Sequence, residues 1–335
     1  MSTEPEERKK DINSMRSSFR KHVLDLDDFS MEEIDSILQS ATAMKEVLNR
    51  DIKKVPSLRG KVILTLFLEA STRTRVSFEE AGKLLSADVI NISGSGSSAE
   101  KGESLLNTAL TLQSMRADVI IIRHPLSGAP YFVARHLDHT SVINAGDGRH
   151  AHPTQGLLDL MTIHQQIGSI KNKKVLIVGD VLHSRVARSN IRGLLAAGAK
   201  IVLSGPPTLI PPWLFNVPQN SEIFYQQDLD HAIQGVDVVM ALRLQTERQA
   251  SGMLPSIREY TSRWQVTEKR MGFANPAAIV MHPGPLNEGI EISSSLAHSK
   301  ISTINEQVTN GVALRMALLY KILTFTPDGS EELTV

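Results

Sequence analysis

Short runs of valine, isoleucine and leucine recur along this chain, each leading into a polar or glycine-bearing cluster and then into an apolar pattern of helical period. The candidate strands are Val62–Leu68, Val119–Ile122, Val142–Asn144, Val175–Val178, Ile201–Leu203, Val236–Ala241 and Ile279–Met281. Several are unbroken Val/Ile runs, as parallel strands buried on both faces require. Between them lie helical patterns such as Leu105–Ala109–Leu112 and Ile191–Leu194–Leu195. The alternation predicts α/β units with right-handed crossovers, and no internal repeat of solenoid period competes with it.

A chain of 335 residues, 41% hydrophobic, is long enough for two such units. The division is expected in the amphipathic stretch Thr154–Ile167, with Leu157, Leu158, Met161 and His164 on it. That gives a first domain over 1–152, an interdomain helix over 153–167 and a second domain over 168–304. A last strong helical pattern, roughly Asn305 to Leu323 (305–325 at its widest), is expected to pack back on the first domain. The Pro206–Pro218 stretch reads as a surface connection.

Charge and composition remove several function classes. Lysine plus arginine (36) equals aspartate plus glutamate (36), so the balance argues against nucleic acid as a partner. With no cysteine there is no disulfide, thiolate metal site or cysteine nucleophile, which agrees with a reducing, cytoplasmic setting. The charged start lacks a signal-peptide core, and no apolar run reaches membrane-spanning length. No histidine and carboxylate spacing suggests a metal.

The residues just past each strand carry the chemistry. Val62–Leu68 leads into Phe67–Arg75, Phe-Leu-Glu-Ala-Ser-Thr-Arg-Thr-Arg, ahead of a helical pattern with Phe78, Ala81 and Leu85 on one face. Ser71, Thr72, Arg73, Thr74 and Arg75 thus sit at a helix start, where unpaired N–H groups and the helix dipole favour an anion. Two arginines in that first turn oppose the dipole, a local cost that a bound phosphate would repay. Arg123 comes directly after the next strand. Gly146-Asp147-Gly148 leads to His152-Pro153-Thr154-Gln155, Gly179-Asp180 leads to Arg185, Arg243 and Gln245 come after Val236–Ala241, and His282-Pro283-Gly284-Pro285 after Ile279–Met281. Open parallel sheets bind ligands beyond the carboxyl ends of their strands, so these groups are expected to converge on one cleft. A glycine- and serine-rich loop, Gly94 to Gly102 with Lys101, is a second anion-friendly element. Neutral His152 suits hydrogen bonding to a carbonyl oxygen. The Gly179-Asp180 turn lacks the G-x-G-x-x-G spacing of a dinucleotide site.

Taken together, from about residue 18 to 325, these motifs resemble the aspartate carbamoyltransferase (aspartate transcarbamoylase) catalytic-chain family. Ser71–Arg75 and His152–Gln155 are similar to motifs of the carbamoyltransferases as a whole. Arg243-Leu244-Gln245-Thr246-Glu247-Arg248 and His282-Pro283-Gly284-Pro285-Leu286-Asn287 resemble the aspartate branch, and the cysteine motif and the Asp…Ser-Met amino-acid site of the ornithine branch are missing. The resemblance implies the carbamoyltransferase fold, two domains each with a mostly parallel sheet flanked by helices. It implies transfer of the carbamoyl group of carbamoyl phosphate to L-aspartate, in pyrimidine (UMP) synthesis, without a cofactor.

On the same resemblance, Ser71, Thr72, Arg73, Thr74 and Arg123 bind the phosphate, and Arg73, Thr74 and His152 face the carbonyl oxygen. Gln155 with the Pro283–Pro285 turn, through the carbonyls of Pro283 and Gly284, holds the carbamoyl amino group. Arg185, Arg243 and Gln245 take the aspartate carboxylates, and Ser97 and Lys101 reach into a neighbouring subunit's site, Lys101 toward the aspartate. A homotrimer with shared active sites is then the minimal active unit, and assembly with regulatory chains or dihydroorotase is left open. Glu288 stands where many relatives carry arginine, and Ala70 where proline is common.

Overall fold

The computed structural model describes residues 19–93, 103–215, 222–245, 253–254 and 256–324. In the first half the order is α1 (Met31–Leu48), β1 (Val62–Phe67), α2 (Thr72–Leu84), β2 (Asp88–Ser93), α3 (Leu105–Ser114), β3 (Val119–His124), α4 (Ala129–Ala134) and β4 (Ser141–Asp147). Helix α5 (Pro153–Ile167) comes next, then β5 (Lys174–Val178), α6 (Arg185–Ala196), β6 (Lys200–Ser204), β7 (Ile223–Tyr225), α7 (Leu229–Ala232) and β8 (Val238–Ala241). The chain continues through α8 (Ile257–Trp264), α9 (Glu268–Met271), β9 (Ile279–Met281), α10 (Ser294–Ala297) and α11 (Ile304–Thr324).

Two sheets result, ordered β2-β1-β3-β4 and β7-β6-β5-β8-β9. Every strand pair in both is parallel, as the buried Val/Ile runs require. All seven strands expected from sequence are present. The two additional strands, β2 and β7, lie at sheet edges. An edge strand is covered less completely, and Ile90 and Phe224 are about half exposed, so neither segment needs a continuous apolar run. The expected strand at Val236 starts two residues later, because Val236 closes a turn by donating its N–H to Ile233 O.

Helix α1 begins in a capping box: Ser30 Oγ accepts from Glu33 N, and Glu33 Oε2 accepts from Ser30 N. Phe78, Ala81 and Leu85, expected on one face, are fully buried. Helix α11 packs against α1, α2 and α5. Its residues Ala313, Leu314, Met316, Ala317, Leu318 and Leu319 are all at 0% exposure; each of its large apolar side chains is worth about 1.5–3 kcal/mol of burial. One continuous apolar cluster therefore runs from Ile34 in α1 through Leu157 in α5 to Ile177 in β5. The proline-rich stretch is more than a surface connection in its described part: Leu209, Ile210 and Leu214 are buried. Among the described residues, no helix is long and apolar enough to cross a membrane.

Candidate active site

Sheet order decides where a ligand would sit. In each sheet the crossovers change direction between two neighbouring strands, β1 and β3 in the first and β5 and β8 in the second. The carboxyl ends of such strands open a crevice. Ser71–Arg75 come after β1, Arg123 is the second-last residue of β3, Arg185 comes after β5, and Arg243 and Gln245 after β8. His152–Gln155 are reached from β4, and His282–Pro285 from β9.

Ser71 is the N-cap residue of α2 in extended conformation, yet its side chain makes no capping bond. The hydroxyl and the first-turn N–H groups are thus open to an anion. No acidic residue occupies that turn, and Thr74 is buried in it. The register Phe67↔Arg123, with Leu68 N donating to Arg123 O at 2.9 Å, brings the β1 and β3 ends together.

The halves meet through Glu69. Arg123 Nη2 donates to its Oε1 at 2.7 Å, and Arg123 Nη1 to Ala145 O at 3.1 Å. Arg185, buried at the start of α6, donates from Nη1 to Glu69 Oε2 at 3.0 Å and to Gly148 O at 3.2 Å, and from Nη2 to Glu69 Oε1. Gly146 makes room for both guanidinium groups: its φ is +118°, and a Cβ there would lie 3.0 Å from Arg185 Cζ and 3.1 Å from Arg123 Nη1. Gly284, at φ +63°, does the same for Arg73, whose Nη2 would be 2.9 Å from a Cβ. The first-half arginine therefore lies against the turn after β9. Among the described residues the Arg73 side chain makes no hydrogen bond or ion pair.

His152 caps α5 and is buried, with its N–H on Ser189 Oγ at 2.8 Å. Burial, then the positive charge of Arg123, Arg185 and Arg315, holds its imidazolium form well below the usual range. It is neutral near pH 7 and offers one ring N–H. His282 is pushed down to about 3 by burial and by Arg73 and Arg243, and its Nδ1 accepts from Gly284 N at 2.9 Å. Partial burial and Arg243 also lower Arg73. Burial is the larger cause in each case, and neighbouring arginine charge is the second, an environment that a multiply charged anion would relieve.

Gln245 donates to His183 O at 3.3 Å. Asp180, fully buried, accepts from His183 N and Nδ1, so it braces the loop before Arg185 and is closed to a ribose. Ser97 and Lys101, like Thr246, Glu247 and Arg248, lie outside the described residues. Two of the remaining histidines have local roles: His22 Nδ1 accepts from Val142 N at 3.0 Å, and His136 Nδ1 lies 2.7 Å from Phe132 O.

Three carboxylates belong to the site although no motif singles them out. Glu69 bridges the arginines. Glu291, buried and pushed up by that burial, accepts from Leu244 N, Asn287 N and Asn287 Nδ2, tying the β8 exit to the β9 exit. Asp159 gathers the amides of Gln155, Asn190 and Gln307. For Glu69 the available signal was an acidic residue two positions before an arginine-rich anion turn; for the other two there was none.

Comparison with known proteins identifies the family. Residues 21–165 match the family model of the aspartate/ornithine carbamoyltransferase carbamoyl-P binding domain, and residues 171–322 that of the Asp/Orn binding domain. The aspartate carbamoyltransferase catalytic subunit of Roseiflexus castenholzii is 57% identical over 303 residues, covering 90% of this chain and 95% of that one. That of Moorella thermoacetica is 52% identical over 304 residues, covering 91% and 97%. Among solved structures, aspartate transcarbamoylase from Trypanosoma cruzi in complex with carbamoyl phosphate and aspartate aligns with a TM-score of 0.81 at 30% identity, over 90% of this chain and 95% of that chain. The catalytic subunit of M. jannaschii aspartate transcarbamoylase aligns with a TM-score of 0.81 at 33% identity, over 93% and 100%. With family models spanning both sheets and relatives above half identity over nearly its whole length, this chain belongs to the aspartate/ornithine carbamoyltransferase family.

Proposed function

We propose that this cleft transfers the carbamoyl group of carbamoyl phosphate to the α-amino group of L-aspartate, giving N-carbamoyl-L-aspartate and phosphate for pyrimidine synthesis. The observation that carries the reading is the meeting of two arginine sets at two sheet switch points, Arg73 and Arg123 from one half with Arg185 and Arg243 from the other. Both substrates are anions, and one set faces each. The first half then binds carbamoyl phosphate and the second the amino acid.

Ser71, Thr72, Thr74 and the first-turn N–H groups of α2 hold the phosphate with Arg73 and Arg123. Arg73, Thr74 and neutral His152 face the carbonyl oxygen, where negative charge grows as the amine attacks. Gln155 and the carbonyls of Pro283 and Gly284 in the Pro283–Pro285 turn accept from the carbamoyl amino group. Arg185, Arg243 and Gln245 hold the carboxylates of aspartate, with Lys101 and Ser97 supplied by a neighbouring subunit of a cytoplasmic homotrimer. The tetrahedral intermediate collapses by breaking the C–O bond to phosphate, and the departing phosphate takes the amine proton, so no protein base is needed. Holding two anions in attack geometry is itself a large part of the rate.

The test is product formation from carbamoyl phosphate offered with aspartate or with ornithine, together with the mass of the protein in solution. Carbamoyl-aspartate from a trimer supports the reading; carbamoyl-ornithine as the main product overturns it.

A further inference from the structure

Asp159 is fully buried in the second turn of α5, behind the cleft and one helical turn after Gln155. Its Oδ1 accepts from Gln155 Nε2 at 3.0 Å and from Gln307 Nε2 at 2.7 Å, and its Oδ2 accepts from Asn190 Nδ2 at 2.8 Å. Each amide also has a second partner or a second face. Gln307 Oε1 accepts from His282 N at 3.0 Å, and Asn190 Nδ2 also donates to Val186 O. Gln155 Oε1 makes no hydrogen bond among the described residues.

An ionised carboxylate only accepts hydrogen bonds. Every side-chain amide that touches Asp159 must therefore present its NH₂ group. For Gln307 this fixes the oxygen on the His282 N–H, at the start of the turn that lies against Arg73. For Gln155 it fixes the NH₂ inward, so the carbonyl oxygen points away from Asp159. A glutamine held by a neutral, rotatable partner could offer either end; held by Asp159 it offers an acceptor alone. Of the groups on carbamoyl phosphate only the amino group donates.

We propose that Asp159 is a positioning residue for substrate choice: it locks the Gln155 amide with its oxygen toward the carbamoyl amino group, so that the site reads –NH₂ against –CH₃. The inference rests on the function proposed above and adds to it a residue outside the anion-binding set. Burial pushes the Asp159 carboxyl up to about 6, against the pull of its three amides and Arg315, and near pH 8 it is ionised and acts as the acceptor the geometry requires.

Acetyl phosphate, which carries –CH₃ in place of –NH₂, is the probe. Dissociation constants for carbamoyl phosphate and acetyl phosphate are measured by calorimetric titration at pH 8 on wild type, Asp159→Ala, Gln155→Ala and the double variant, with folding checked by circular dichroism. We expect Asp159→Ala to weaken carbamoyl phosphate about tenfold, the effect of one hydrogen bond, and to leave acetyl phosphate within about twofold. Gln155→Ala is expected to match it, and the double variant to add nothing, the signature of two residues acting as one unit. A folded Asp159→Ala protein that keeps its preference, or that loses both ligands equally, overturns the proposal. So does Gln155→Ala with its preference intact, a result that stands whether or not the Asp159 variant folds. If Asp159→Ala does not fold, Asp159→Leu refills the volume without an acceptor and is read the same way. Wild type that forms no carbamoyl-aspartate fails the underlying function instead, before any variant is compared.

Discussion

Glu69 and Arg185 form a two-pronged ion pair across the halves of the molecule, Oε2 meeting Nη1 at 3.0 Å and Oε1 meeting Nη2. The same Oε1 takes Arg123 Nη2 at 2.7 Å. One carboxylate thus neutralises an arginine assigned to phosphate and an arginine assigned to aspartate. On the proposed function, this bridging group has opposite effects on the two ligands. It competes with phosphate for Arg123, and it holds Arg185 in the orientation that a second carboxylate needs.

Glu69→Gln separates these effects while keeping the side-chain shape. Inorganic phosphate should inhibit more tightly, because its competitor has lost its charge. The kcat/KM for aspartate should fall by about tenfold or more, since losing the charged partner of the buried Arg185 disorders it. Phosphate inhibition and aspartate saturation curves on one preparation check both signs.

Arg73 lies against Gly284, and the proposed function sets it against both the bridging and carbonyl oxygens of carbamoyl phosphate. Arg73→Ala should lower kcat by about 10²–10³, as loss of an oxyanion donor does, with a smaller change in KM. Steady-state kinetics with both substrates decide it. A near-normal kcat would remove Arg73 from the transition state.

The arginine turn and the strand ends were legible because they rest on local rules: a β-branched run ends, a helix begins, and polar groups between them face a crevice. Edge strands β2 and β7 escaped because half-covered residues need no apolar run. Asp159 and Glu291 escaped for a different reason. Their partners, Gln307 for one and Leu244 for the other, are 148 and 47 residues away, and a lone carboxylate in sequence says nothing of which amides surround it. Glu69 was visible but opposite in sign to the anion that its neighbours await.

Arg243 lies just past β8 and contributes its charge to both Arg73 and His282. Arg243→Ala should raise the KM for aspartate by about 10²-fold, as when a charge-assisted pair is lost. Carbamoyl phosphate affinity should change far less. Equal losses for both ligands would contradict its assignment to aspartate.

If Lys101 completes a neighbour's site, two dead proteins should rescue each other. Lys101→Ala and Arg73→Ala, each inactive alone, are mixed under conditions that exchange subunits. Hybrid trimers then hold some sites with neither lesion, and activity should return to a measurable fraction of wild type. Verified exchange without recovery would mean that each chain carries a complete site.

Neutral histidines held partly or wholly out of water make the fold sensitive to acid. His22, on the Val142 N–H, is lowered to about 4 by burial and then by Lys21; His282 is lowered to about 3. Unfolding releases each to its ordinary value near 6.5, so below that pH the unfolded chain binds protons the folded chain refuses. The stabilisation is complete above about 6.5 and is lost as pH falls through 4 for His22 and through 3 for His282. Asp25 and Asp159, both raised to about 6 chiefly by burial, run the other way: their contribution is full below about 4 and is lost as pH rises through 6. His22→Asn keeps an acceptor for Val142 N and removes the titration. Melting temperatures between pH 7 and 4 should therefore fall less steeply for His22→Asn than for wild type, with the two curves closest in slope above pH 6.5. Parallel curves over the whole range would show that His22 titrates alike in the folded and unfolded chains.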